Sequence, residues 1–405
     1  MNGIDSSSSG ERSGSFRATS PLSRLRFRLC STTTSEYGLV ARSRPHVLVI
    51  RAYCDVTVLI PGTTETFGGV RRERSADGVD YITWTPRPSV ARRQRAARLL
   101  SLYQLGRLQH LLADVDLIHV HGPVFHGVPG SRLASKLGVP IVVTVHTGPF
   151  EKLMRRRTLR WLTCRTLERA DCVCPVSDDL RQQIIGAGIR PRRVEVTYNP
   201  VDTDLFRPRS RQQSPARRIV FAGRLEEYKG AARVVEAFAQ VAGTWPGWTL
   251  TIAGDGPERS AITEIVGHDR RLTGRVELIG SQTKAGLAEI LGSSDLLVHP
   301  SRHETFGLVL AEAMATGLPV IAPNCTAPPE FVDESAGVLV PPDDVDAIAH
   351  AIGHVLTHLR SYRASEIRAP IVEKFSFAAF GRRMLALYED LLRRPQTDAA
   401  ITCAA

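Results

Sequence analysis

The chain has 405 residues, 43% of them hydrophobic, and a net charge of +11. That is long enough for two domains and too apolar for wholesale disorder. It contains no run of 18 apolar residues that would span a membrane, and its seven cysteines are too few for a disulfide scaffold, so a reducing compartment is expected.

Residues 1–45 differ from the rest. They hold Ser6-Ser7-Ser8-Ser9, Thr32-Thr33-Thr34 and scattered arginines. That composition cannot build a core, so the segment reads as a disordered or spurious tail. From His46 onward, short apolar runs alternate with helical stretches. Strands are predicted at His46–Ile50, Asp55–Ile60, Leu117–His121, Ile141–His146, Cys172–Val176 and Val194–Tyr198, with helices over Arg92–Ala113 and Lys152–Arg169. A Pro- and Arg-rich linker follows at 199–215. The second series of strands runs Arg218–Ala222, Thr249–Ala253, Arg275–Ile279, Leu296–His299, Val320–Ala322 and Gly337–Val340. Apolar strands separated by helices read as buried parallel strands in βαβ units. Phe377–Leu392 carries apolar residues at helical spacing and should pack on something. The expected class is α/β, with two doubly wound Rossmann-like domains facing a cleft.

The charge is uneven. Residues 1–46 carry +4, residues 47–200 carry +10 and residues 201–405 carry −3. A basic first half suits an anionic partner: phosphate, anionic lipid or nucleic acid. No aromatic interleaving or nucleic-acid motif accompanies it, so nucleic acid is not expected. Two predicted helices bear arginines in clusters, Arg92, Arg93, Arg95 and Arg98 on one and Arg155, Arg156, Arg157 and Arg160 on the other. These clusters fit peripheral contact with an anionic membrane as well as a solvated surface.

Open α/β sheets bind ligands beyond the carboxyl ends of their strands. Three loops leave such ends in the second half. Gly223-Arg224-Leu225-Glu226-Glu227-Tyr228-Lys229-Gly230 offers a fork and a point charge five residues apart, able to meet one diphosphate or to sit in water as surface cations. Gly254-Asp255-Gly256-Pro257-Glu258 reads as a tight turn near a ligand, or as an ordinary turn before a helix starting at Pro257. His299-Pro300-Ser301-Arg302-His303-Glu304-Thr305-Phe306-Gly307-Leu308 leads into a helix beginning near Phe306. Its first amides, near Gly307 and Leu308, would favour phosphate. Glu304 and Glu312 stand eight residues apart around that turn. In the first half, His146 ends a strand and faces the cleft. His119 and His121 share one strand face and lie near His126. Such an arrangement could suit a metal, but no carboxylate or cysteine stands at helpful spacing, so no metal site is expected.

Over residues 46–394 these motifs together resemble the GT-B glycosyltransferases, specifically the large retaining family 4 group with its E-x7-E motif, here Glu304 to Glu312. The resemblance implies domains at 46–205 (acceptor side) and 206–375 (nucleotide-sugar side). A helix at 376–394 would return to the first domain, with a tail after it. It implies a metal-independent hexosyltransferase without a cofactor; the cysteine usage and the arginine clusters add the expectation of a cytoplasmic protein, peripheral on the inner face of the membrane. Its donor would be a UDP- or GDP-hexose and its acceptor a lipid, glycan or small-molecule hydroxyl, with retention of anomeric configuration. Arg224 and Lys229 would neutralise the diphosphate. Gly223, Gly254, Phe306 and the Gly307 and Leu308 amides would line the donor, Glu312 would hold ribose, and Glu304 and His146 would meet the sugar. The family opens with a strand, a Gly-Gly loop and a long helix. Here His46–Ile50 runs almost directly into Asp55–Ile60, so that first loop–helix unit is expected to be missing. A degenerate, non-catalytic donor-binding protein is the rival expectation.

Overall fold

A computed structural model describes residues 26–30, 40–52, 54–61, 69–74, 80–85, 115–124, 126–208 and 217–393. The first sheet holds β1 (Arg26–Cys30), β2 (Asp55–Pro61), β3 (Gly69–Arg74), β4 (Asp80–Thr85), β5 (Ile118–His121), β6 (Ile141–Val145) and β7 (Cys172–Pro175). Its order is β3-β4-β2-β1-β5-β6-β7, parallel except for β3, which runs antiparallel to β4. The second sheet holds β8 (Arg218–Ala222), β9 (Thr249–Ala253), β10 (Val276–Leu278), β11 (Leu296–Val298), β12 (Val320–Pro323) and β13 (Gly337–Val340). Its order is β10-β9-β8-β11-β12-β13, and every pairing is parallel. Without the β3 hairpin partner, both sheets wind outward in both directions from a central pair, as doubly wound sheets do. Strand interiors are apolar on both faces because helices cover both: β6 (IVVTV) is buried at all five positions.

Four expectations fail at the N-terminal side. His46–Ile50 is not a strand. It lies in helix α1 (Val40–Arg51), where Val47, Val49 and Ile50 are buried. A short run of β-branched residues does not distinguish a strand from a buried helical turn, and packing decides it here. The first strand lies inside the segment read as a tail. Arg26–Cys30 pairs in parallel with both β2 and β5, at the centre of the sheet. The expected loss of the first loop–helix unit is therefore corrected, since β1 and α1 flank residues 31–39 in that order. The strand expected at Val194–Tyr198 makes only one isolated parallel bridge, Val194 to Val173. Tyr198, at φ 48°, ends the extended run. The predicted helix over Arg92–Ala113, with its arginines, lies outside the described residues.

The helices continue in chain order: α2 (Gly127–Leu137), α3 (Glu151–Met154), α4 (Arg157–Arg169), α5 (Asp178–Gly186), α6 (Ala231–Val241), α7 (Arg259–His268), α8 (Lys284–Gly292), α9 (Leu308–Ala315), α10 (Val345–Thr357), α11 (Ala364–Phe375) and α12 (Phe377–Arg393). Ser177 caps α5, its side chain accepting from Leu180 N, and Asp344 caps α10 likewise from Ala347 N. The chain turns back toward the first sheet at Ser376, which makes an isolated parallel bridge to Val201. Helix α12 then buries Phe380, Met384, Leu387, Tyr388 and Leu391 against Val47, Ile50, Val58, Leu117 and Val142. No helix among the described residues is long and apolar enough to cross a membrane.

Candidate active site

The two sheets reverse winding between β1 and β5 and between β8 and β11. Chain leaving β8 and β11 lines a cleft of about 850 Å³, faced by His46 of α1 and by the chain that follows β6.

On the second-sheet wall, the β8 and β9 loops are locked together. Gly223 N donates to Ala253 O at 3.0 Å, and Leu225 N to Asp255 O at 3.0 Å. A Cβ on Gly254 would stand 1.8 Å from Gly223 O, so only glycine allows this approach. The β8 loop ends in a tight turn, Glu227–Lys229, which turns Lys229 into the cleft. Its Nζ meets Glu304 Oε1 at 2.5 Å, and His299 Nε2 donates to the same oxygen at 2.8 Å. Burial alone would raise the Glu304 carboxyl. The His299 bond and the Lys229 charge outweigh it and hold the pKa at about 2. Glu304 is thus an ionised, buried acceptor.

After Glu304 the chain reaches Gly307 in the left-handed region, φ 91°, as the residue before α9. The first amides of α9 have no partner within the helix and sit at its positive end. Glu312 lies in the second turn, buried, and pairs with Lys284 at the start of α8. Burial raises its carboxyl, and Lys284 opposes the rise. Thr283 fixes the start of α8 by accepting from Gly286 N at 3.1 Å.

The first-sheet wall is built of histidines. His146 follows β6 and His121 ends β5, with His121 Nδ1 and His146 Nε2 2.8 Å apart. His46, from α1, donates through Nε2 to Asn199 Oδ1 at 3.2 Å. His119 lies behind, between Tyr388 Oη and Thr144 Oγ1 at 2.6 Å each. Burial lowers these imidazoles: His46 to about 4, His119 and His126 to about 3, and His121 well down, with its histidine neighbours adding to the effect. These four imidazoles are uncharged at neutral pH.

The walls meet closely. A Cβ on Gly148 would lie 2.3 Å from His303 Nε2. Glu330 caps α5 across the divide, accepting from the Asp178 and Asp179 amides at 2.8 Å each.

Of the expected site residues, His146, Lys229, Glu304, Phe306, Gly307, Leu308 and Glu312 line the cleft. Phe306 is only 2% exposed, its ring packed among Tyr198, Phe331 and Phe375. Gly223, Arg224 and Gly254 are not among the lining residues. Gly254 lets two loops touch. Arg224 extends outward, 74% exposed, and pairs with Glu226, which does line the cleft. The sequence reading missed Lys284, Lys152, His303, Asn199 and His46 as lining residues. Lys284 carried a signal, because it opens a helix one residue after a Thr cap at a strand's carboxyl end. His46 carried none once its segment was read as a strand.

Residues 49–205 match the family described as Glycosyltransferase Family 4, and residues 216–358 match Glycosyl transferases group 1. A GDP-mannose-dependent alpha-mannosyltransferase of Mycobacterium tuberculosis is 30% identical over 308 residues, spanning 71% of this chain and 76% of that protein. D-inositol 3-phosphate glycosyltransferase of Mycobacterium bovis is 31% identical over 269 residues, which is 60% of this chain and 54% of that protein. Among solved structures, Anabaena HepE in complex with UDP aligns with a TM-score of 0.73 at 21% identity, covering 90% of this chain and all of that one. Sucrose-phosphate synthase from Thermosynechococcus elongatus aligns at 0.70 and 23% identity, covering 90% and 99%. With the E-x7-E pair facing a cleft between two doubly wound sheets, the chain belongs to the family 4 glycosyltransferases of GT-B fold.

Proposed function

We propose that the cleft transfers a hexose from a GDP- or UDP-hexose to a hydroxyl acceptor, with retention and without a metal on the diphosphate. One observation carries this reading: Lys229, Glu304, Glu312 and the positive end of α9 converge on a single cleft. Lys229 and the Gly307 and Leu308 amides hold the diphosphate, and Arg224 swings in from Glu226 to join them. Glu312 accepts from the ribose hydroxyls. Glu304 and His146 hold hydroxyls of the sugar. As the bond from the anomeric carbon to the diphosphate oxygen breaks, the acceptor oxygen bonds to that carbon from the same face. The acceptor proton passes to the departing phosphate oxygen. Preorganised donors around the growing phosphate charge supply most of the acceleration.

The acceptor is anionic or lipid-linked, and the enzyme works peripherally at the cytoplasmic face of a membrane. Arg155, Arg156, Arg157 and Arg160 are exposed around the start of α4, beside Trp161 at 58% exposure. Cations flanking an exposed indole suit an anionic interface. Failure to sediment with anionic vesicles at low salt would remove the membrane part.

The test of transfer is donor hydrolysis and acceptor glycosylation across a panel of nucleoside-diphosphate hexoses, with anomeric configuration read by NMR. Donor binding without turnover on any acceptor would favour the non-catalytic reading. That outcome has a basis in sequence, since residues 31–39 between β1 and α1 hold one glycine, Gly38, where the family carries a pair.

A further inference from the structure

The histidine wall holds more nitrogen than sugar binding uses. His46, His121 and His146 come from α1 and the ends of β5 and β6, and their ring centroids stand 5.1 Å apart in all three pairings. One ring nitrogen from each lies within 4.8 Å of the other two. Tetrahedral zinc–imidazole bonds of about 2.0–2.1 Å place ligand nitrogens about 3.4 Å apart, so small side-chain rotations close the triangle. Two buried nitrogens here, His46 Nδ1 and His121 Nε2, have no hydrogen-bond partner. Buried polar atoms are otherwise almost always satisfied. Asn199 accepts from His46 Nε2, which leaves the lone pair on Nδ1, and such an outer partner is what orients a ligating imidazole.

We propose that His46, His121 and His146 form a three-nitrogen site for a divalent transition metal of zinc's class. Three imidazoles with no carboxylate among them suit zinc, and disfavour magnesium and calcium, which take oxygen ligands. Entry is from the cleft, because His46 and His146 both line it. The ion ties α1 to the ends of β5 and β6. On the transfer reading it also draws His146 away from the sugar, so zinc acts as a brake. The site itself stands whether or not transfer occurs.

One competitor must be removed first. His350 and His354 of α10 and His358, which caps its end, lie exposed at four-residue spacing, with the last two rings 4.5 Å apart. The experiment therefore uses the full chain carrying H354Q and H358Q. Zinc is titrated against a chromophoric indicator, and Co2+ absorption reports the ligand field. The expected result is one tight ion per chain and visible tetrahedral cobalt bands. His46→Gln and His121→Gln should each weaken binding by at least about 100-fold, since even outer partners of a ligand are worth 10–100-fold. Circular dichroism identifies any variant that fails to fold. Should both fail, the parent chain decides through its cobalt bands. Zinc binding no tighter than at a surface histidine, an absence of tetrahedral bands, or folded variants that bind as before would each overturn the proposal.

Discussion

The two walls of the cleft bury titratable groups by opposite means. On the second-sheet wall the groups stay charged and are paired: Glu304 with Lys229, Glu312 with Lys284. On the first-sheet wall the groups lose their charge: His46, His119, His121 and His126 are neutral imidazoles that bond to one another or to neutral partners. Buried ions persist only with partners, and a ligand that carries charge can exchange for one of them. Lys229 can trade Glu304 for a phosphate. The neutral histidines can meet a sugar hydroxyl but offer no counter-charge to a diphosphate, and the cation this side brings to the cleft, Lys152, is exposed and carries no buried partner among the described residues to exchange. The asymmetry assigns the donor's charged half to the second sheet.

The sharpest way to break that assignment is Lys229→Ala. It should lower kcat/KM by about 10²–10³, the usual cost of one donor to a developing anion. Near-wild-type turnover would mean that the paired charges are structural only. Acid comes next. The folded Glu304 carboxyl sits at about 2 against 4.5 unfolded, so it contributes stability above pH 4.5 that is lost as pH falls toward 2. A shift of that size corresponds to about 3 kcal/mol. Denaturant titrations across that window should show this loss, and Glu304→Gln should flatten it. A donor sugar nucleotide at 100 times its Kd should stabilise the protein by about 2.7 kcal/mol. His146→Ala should keep most of that shift and Lys229→Ala should lose it, as thermal melts would show. If the two behave alike, the walls do not divide the donor as argued. The smallest effect tests the contact between the walls. Glu330→Ala removes the acceptor for the Asp178 and Asp179 amides and should cost about 1 kcal/mol in chemical denaturation.

The second sheet was legible because most of its strands are apolar runs, and those that open the cleft, β8, β9 and β11, end in loops rich in glycine or charge. Periodicity and punctuation agreed there, and Thr249–Ala253 and Gly337–Val340 match to the residue. The first sheet was not. Its central strand, Arg26–Cys30, alternates arginine with apolar residues inside a basic, serine-rich stretch. Its first helix carries the β-branched run that a strand would carry. Only pairing with β2 and β5, and packing under α12, separate the two readings, and neither is a local property. The E-x7-E pair could be read from spacing, because both glutamates flank one helix start. The pairing of His46 with His121 and His146 could not, because 75 residues of chain separate His46 from the nearer of them and their meeting depends on the fold.

The return of α12 to the first sheet has a consequence for biosynthesis. The second sheet and its helices, α11 included, are contiguous over residues 218–375, and that unit can fold as soon as it leaves the ribosome. The first sheet, although made earlier, waits for Phe380, Met384 and Leu387 to cover Val47, Val58 and Val142. Growing chains therefore carry an open apolar face through almost the whole of translation, and a message truncated before residue 377 leaves that face bare for chaperones or proteases to find.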